Sequence, residues 1–197
     1  MRSSVAAAHR LISAIPPGDE LEARHRAETL AWLESTDDVF RRAKPATPPR
    51  HLVSYVVPTV PTDGATLLVA HRNAGLWLPP GGHVEPDEDP ALTARRELSE
   101  ELGLPGDGVS ATPAFLTVTE TVGIDSGHTD VSLWFIAEIA RDAALTPDAG
   151  EFADVRWWSR PEIKAADPAA FDPHLGRFLK KSAPIARPGR RRTSRRS

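Results

Sequence analysis

GHVEPDEDPALTARRELSEELGL, residues 82–104, decides how this chain is read. Pro90 suits the first turn of a helix, where its missing N–H costs nothing, and Asp89 before it can cap the first free amides. Gly103 is the residue type that ends a helix in a left-handed turn. Asp87, Glu88 and Asp89 add negative charge at the positive end of the helix dipole. The stretch therefore predicts a helix over residues 90–102, about three and a half turns long. On it Ala91, Ala94, Leu98 and Leu102 recur at intervals of three and four, the spacing of a buried stripe.

Beside that stripe Glu97, Glu100 and Glu101 fall within one turn, and carboxylates so crowded call for a cation. Hard oxygen donors favour Mg²⁺ or Mn²⁺. Arg96 offers a rigid fork of donors that can hold a carboxylate in one orientation. Upstream, Leu78-Pro79-Pro80-Gly81-Gly82 is a turn whose paired glycines allow close backbone approach and offer a carbonyl. A helix rich in Glu and Arg is otherwise a solvated face laced with intrahelical pairs. Such a face needs neither a diglycine loop before it nor Glu88 at a fixed spacing.

The full pattern is Gly82, five residues, Glu88, seven residues, Arg96-Glu97-Leu98, one residue, Glu100-Glu101, one residue, Gly103-Leu104. It resembles the Nudix box, the signature of hydrolases acting on nucleoside diphosphates linked to another group. One departure is Asp87, where glycine often precedes the glutamate; it touches the turn and not the ligands. The resemblance covers about residues 50–181 and implies an α/β fold, the Nudix α/β/α sandwich with a mixed β-sheet. It implies that Glu97, Glu100 and Glu101 bind the divalent cation, Mg²⁺ or Mn²⁺, with help from the carbonyl region of Gly81 and Gly82. It also implies that Arg96 orients Glu97 and that Glu88 supports the loop. Many members add a carboxylate from the loop before a strand bearing an Arg-Trp pair. Glu151 is the best match here, with Asp148 and Asp154 as alternatives.

The reaction so implied is attack of water on phosphorus, breaking a phosphoanhydride bond in a nucleoside diphosphate derivative or a nucleoside triphosphate. Either Glu101 or Glu151 would serve as general base. The alternative is a catalytically silent ligand-sensing or interaction protein on the same fold. The absence of cysteine rules out thiolate chemistry and disulfides and argues against the isomerase branch. Markers of the ADP-ribose, dinucleoside polyphosphate and NADH subfamilies are missing, so the substrate stays open. Trp77 and Trp134 could stack on a base or pack inside the fold, as could Trp157 and Trp158. His128 could touch substrate or simply form part of a turn.

Outside this domain, residues 4–14 and 19–35 read as two helices, the second capped by Asp19, with Leu21, Ala27, Leu30, Ala31 and Leu33 as its apolar face and Trp32 beside it. They form an extension, residues 1–48, that packs on the domain, mediates a homodimer or closes over substrate. KPATPPR, residues 44–50, reads as a stiff polyproline connector. Strands are expected over 52–57 and 65–70, joined by a Pro61-Thr62-Asp63-Gly64 hairpin turn, then over 115–122, 131–139 and 155–158. A short helix should start at Ser159-Arg160-Pro161-Glu162, and a final helix should span 171–181, closing a domain of residues 49–182.

Residues 183–197 form a tail read as disordered, with six arginines from residue 187 onward and no acid. The chain carries −3 formally, so the rest carries −9. The tail lacks interleaved aromatics, and no base-reading motif accompanies it, so nucleic acid is not an expected partner. No apolar run reaches membrane-spanning length, and His9 and Arg10 interrupt the N-terminal apolar stretch; the cytoplasm is the expected compartment.

Overall fold

The computed structural model describes residues 3–43, 47–123 and 126–183. Two helices, α1 (Ser3–Ser13) and α2 (Glu20–Ser35), precede strands β1 (Arg50–Thr59), β2 (Thr66–His71), β3 (Leu76–Leu78) and β4 (Gly81–His83). Then follow α3 (Pro90–Leu102), β5 (Phe115–Glu120), β6 (Thr129–Glu138), β7 (Phe152–Trp158), α4 (Arg160–Ala165) and α5 (Leu175–Lys181).

The sheet is mixed. β1 runs parallel to β6 from Arg50 opposite Thr129 to Thr59 opposite Glu138, and antiparallel to β4. β5 lies antiparallel beyond β6. The expected β1–β2 hairpin is closed only at its base, Thr59 opposite Thr66; β2 then turns to β3 and β7. The two strands diverge from that base, and a cleft opens in the wedge.

Both faces are covered by helices because side chains of successive strand residues alternate. Leu52, Val56, Val131, Leu133 and Phe135 pack with Ala94, Leu98 and Leu102 of α3 and with Val5, Ala8, Ile12 and Leu33 of the N-terminal helices. On the opposite face Val57, Phe115 and Trp134 meet Leu175, Phe178 and Leu179 of α5. Each fully buried leucine here contributes about 1.5–3 kcal/mol. Along β6, Val131, Leu133, Phe135 and Ala137 thus join the first cluster, while Trp134 and Ile136 belong with the second.

Three expectations change. The buried stripe of α2 is Glu22, His25, Thr29 and Leu33, not the expected set, of which only Leu33 is buried. The helix docks on the open edge of β5, where polar acceptors are required: Glu22 accepts the Leu116 N–H at 3.1 Å, and His25 Nδ1 accepts that of Val118 at 3.1 Å. Glu22 also binds Lys181 Nζ at 2.7 Å, tying the extension to α5. Ala43 and Thr47 pair antiparallel, a contact that a straight polyproline segment would not make; residues 44–46 of the connector lie outside the described residues. The last helix begins at Leu175 rather than 171: Phe171 pairs beside Trp77, and the Asp172 carboxylate accepts the His174 N–H at 2.7 Å. The residues read as a tail lie outside the described residues from 184 onward.

Candidate active site

Local chemistry fixes α3. Asp89 accepts the Ala91 N–H at 2.8 Å, Pro90 fills the first turn, and Gly103 closes the helix at φ +68°. Ser54 Oγ donates to the Pro90 carbonyl at 2.8 Å, anchoring the helix start to β1. At the other end, Thr146 N–H and Asp148 N–H donate to the carbonyls of Leu102 and Glu101 at 2.8 and 3.0 Å. Those bonds satisfy terminal carbonyls of α3 and dock the loop that carries Glu151.

Glu97 and Glu101, four residues apart, are both buried. Glycine at residue 82 makes room for Glu97, and glycine at residue 81 lets the loop lie close against β1. A Cβ at position 82 would overlap the Glu97 carboxylate, and one at position 81 would strike the Ser54 carbonyl. The Gly81 N–H donates to Glu101 Oε2 at 2.8 Å. Ladder bonds from Val56 N–H to the Pro80 carbonyl and from Val84 N–H to the Leu52 carbonyl flank the Ser54–Gly82 pair. By antiparallel alternation the backbone groups of Gly82 face β1, while those of Gly81 face the carboxylates.

Arg96 holds the acids in place. Its Nε and Nη2 each reach a Glu88 oxygen at 3.1 Å, and its Nη1 donates to Glu97 Oε1 at 2.7 Å and Glu100 Oε2 at 3.0 Å. Glu88 also accepts from Thr93 Oγ1 at 2.7 Å. Burial pushes Glu88 upward, yet the bonds from Arg96 and Thr93 outweigh it and hold the carboxyl below its ordinary range. Glu97 is raised, chiefly by burial and against Arg96. Glu101 is pushed up to about 9, first by burial and then by the charges of Glu97 and Glu151. A carboxyl in that state takes either a proton or a cation.

A cavity of about 690 Å³ occupies the wedge between β1 and β2. Glu97, Glu101 and Glu151 line one wall, and Glu151 Oε1 lies 3.3 Å from His71 Nε2. Val69, Leu76, Leu78 and Phe171 give it an apolar side. Glu100 is not among its lining: its side chain is mostly exposed and turns to Arg96. Trp134 is fully buried between Tyr55, Phe115 and Phe178 and donates from Nε1 to Thr117 at 3.0 Å, so base stacking there is excluded. Trp77 packs edge-on against Trp158 at 5.1 Å, on the side of β3 opposite Leu76 and Leu78, and does not line the cavity.

His83, His128 and Asp130 also line the cavity, and His51 lies close to all three. Of these only His128 draws attention in the sequence. The others are scattered in it, and only the pairing of strands brings them together.

A family model for the NUDIX domain matches residues 49–181. The chain belongs to the Nudix family. Among similar proteins, a putative 8-oxo-dGTP diphosphatase 3 of Mycobacterium tuberculosis is 31% identical over 111 residues, covering 52% of this chain and 48% of that protein. An m7GpppN-mRNA hydrolase of Bos taurus is 34% identical over 124 residues, covering 54% and 41%. The chain thus aligns with about half or less of the length of these relatives. The dihydroneopterin triphosphate pyrophosphohydrolase structure of E. coli superposes at a TM-score of 0.54 with 16% identity, over 72% of this chain and 96% of that one. That likeness concerns the fold, the Nudix sandwich. Among the described residues no helix is long and apolar enough to cross a membrane.

Proposed function

We propose that this Nudix protein is a divalent-metal-dependent pyrophosphohydrolase that cleaves a phosphoanhydride bond in a nucleoside diphosphate derivative or a nucleoside triphosphate. One observation carries the reading: Glu97 and Glu101 are buried together at the cleft, with Glu101 shifted to about 9 by its surroundings. Nothing in packing requires two desolvated acids there, and their hard oxygen donors fit Mg²⁺ or Mn²⁺.

Glu97 and Glu101 would hold the ion, joined by the carbonyl of Gly81 instead of that of Gly82, and Glu100 would stand outside this set. Bound there, the ion would offset the negative charge of the diphosphate. Arg96 positions Glu97 through the bond between them and is itself positioned by Glu88. Glu151, which neither Arg96 nor the diglycine loop constrains, takes the proton of the attacking water. The water oxygen bonds to phosphorus, the bridging P–O bond breaks, and the leaving phosphate carries away the electron pair. The apolar side formed by Leu76, Leu78 and Phe171 receives the base or the other linked group.

The test is purified protein with Mg²⁺ or Mn²⁺ and a panel of nucleoside triphosphates, nucleotide sugars, ADP-ribose, dinucleoside polyphosphates and NADH, with products resolved by chromatography. Metal-dependent turnover of at least one compound, absent in the Glu97→Gln, Glu101→Gln variant, is expected. Binding of a compound without turnover, equal in both proteins, would replace the enzyme with a ligand sensor.

A further inference from the structure

The imidazoles beside the cleft form a constellation of their own. His51 on β1 stands directly opposite Asp130 on β6 in the parallel register. His83 on β4 stands opposite Val53, two residues from His51 and on the same face, and His128 lies two residues before Asp130. The period of two therefore brings one ligand atom from each of the four residues to within 4.8 Å of the others.

His51 supplies the deciding detail. Its Nδ1 lies 2.8 Å from the Pro48 carbonyl, which can only accept, so Nδ1 carries the hydrogen. In the neutral ring the lone pair then sits on Nε2. That atom is fully buried, has no hydrogen bond, and points at Asp130 Oδ1, 3.2 Å away, itself a buried oxygen without a hydrogen bond. Two lone pairs facing each other at this distance call for something positive between them. A second-ring nitrogen fixed by a carbonyl is how metal-bound histidines are oriented.

The spacing suits a transition metal. Ligands at 2.0–2.1 Å from a tetrahedral Zn²⁺ are separated by about 3.3–3.4 Å. His51 Nε2 and His128 Nε2 lie 3.2 and 3.3 Å from Asp130 Oδ1. Three imidazoles and one carboxylate favour Zn²⁺, or a neighbouring ion such as Co²⁺ or Ni²⁺, over Mg²⁺. We infer that His51, His83, His128 and Asp130 form a second metal site, for a borderline divalent ion of the Zn²⁺ type, where β1, β4 and β6 border the cleft. Four protein ligands make it a closed site, one that clamps β1, β4, β6 and the segment before β6 together.

The inference stands apart from hydrolysis, and its test uses no substrate. Full-length protein in excess Mg²⁺ is titrated with Co²⁺, whose visible spectrum reports four-coordinate nitrogen and oxygen ligation, and then with Zn²⁺. One equivalent of Co²⁺ should give the tetrahedral band, and one of Zn²⁺ should abolish it. The band should be lost in His83→Ala, His128→Ala and in Asp130→Asn, each checked for folding by circular dichroism, and kept in Glu97→Gln, Glu101→Gln. X-ray absorption on the zinc-loaded wild type needs no variant and should show imidazole scattering beyond a first shell near 2.0 Å. A featureless cobalt titration overturns the site, as it would if His51 were instead a protonated partner of Asp130. So does a zinc shell of oxygen alone, or a band that vanishes only with the glutamates.

Discussion

Two sets of potential ligand groups gather at the cleft by opposite means. Glu97 and Glu101 come from one helix at a spacing of four, and Gly82 clears the space that Glu97 occupies. His51, His83, His128 and Asp130 come from three strands and the segment before β6, and register alone assembles them. One set offers hard oxygens and is braced by a guanidinium; the other offers imidazoles braced by a backbone carbonyl. The difference teaches that one cleft can gather two donor sets of different chemistry, and that the two can be tested one at a time.

The largest expected effect breaks the carboxylate set alone. Glu97→Gln with Glu101→Gln should lower turnover by about 10³-fold or more, since charge stabilisation at the reacting phosphorus is lost. Steady-state rates with the best substrate of the panel measure it, and a loss under tenfold would move the chemistry elsewhere. Next comes Gly82→Ala, whose added Cβ displaces the Glu97 carboxylate. A loss of about 10²-fold in kcat with an unchanged circular dichroism spectrum is expected from misplacement on the ångström scale. Arg96→Lys keeps the charge but not the fork that joins Glu88, Glu97 and Glu100. The magnesium concentration for half-maximal rate should rise by about 10–100-fold, and an unchanged value would remove Arg96 from its positioning role.

The smallest effect separates the two sets by pH. Glu101 titrates from its ordinary 4.5 in the unfolded chain and at about 9 in the fold. Between those values the folded state keeps a proton that the unfolded chain has released, so metal-free protein loses stability as pH rises through this window. Magnesium must expel that proton, and its affinity therefore climbs with pH. Thermal melts in chelator should give a lower Tm at pH 8.5 than at pH 6, with a larger rise on adding Mg²⁺ at pH 8.5. Equal magnesium shifts at both values would contradict the burial of Glu101.

Legibility in the sequence follows the same division. The helix 90–102, its caps, the diglycine turn and the Arg96–Glu97 contact are local, so neighbouring residues announce them. Glu151 was reachable by its offset from Trp157, although the bonds that bring it to the cleft run between its loop and the end of α3. The histidine set was not legible, because His51 and Asp130 are joined only through a parallel pairing of distant strands. The buried face of α2 escapes the sequence for a related reason: Glu22 and His25 look like solvent-facing residues until β5 presents unpaired N–H groups to them. Trp134 shows the limit of residue type, since an aromatic suited to a base is equally suited to a core.

The most direct test of the central claim is hydrolysis in ¹⁸O-labelled water with Mg²⁺, followed by mass spectrometry of the separated products. The account predicts one ¹⁸O atom in a phosphate of one product per turnover, and none formed by the Glu97→Gln, Glu101→Gln protein. Label carried on carbon, or equal incorporation by that variant, would contradict attack at phosphorus by the carboxylate site.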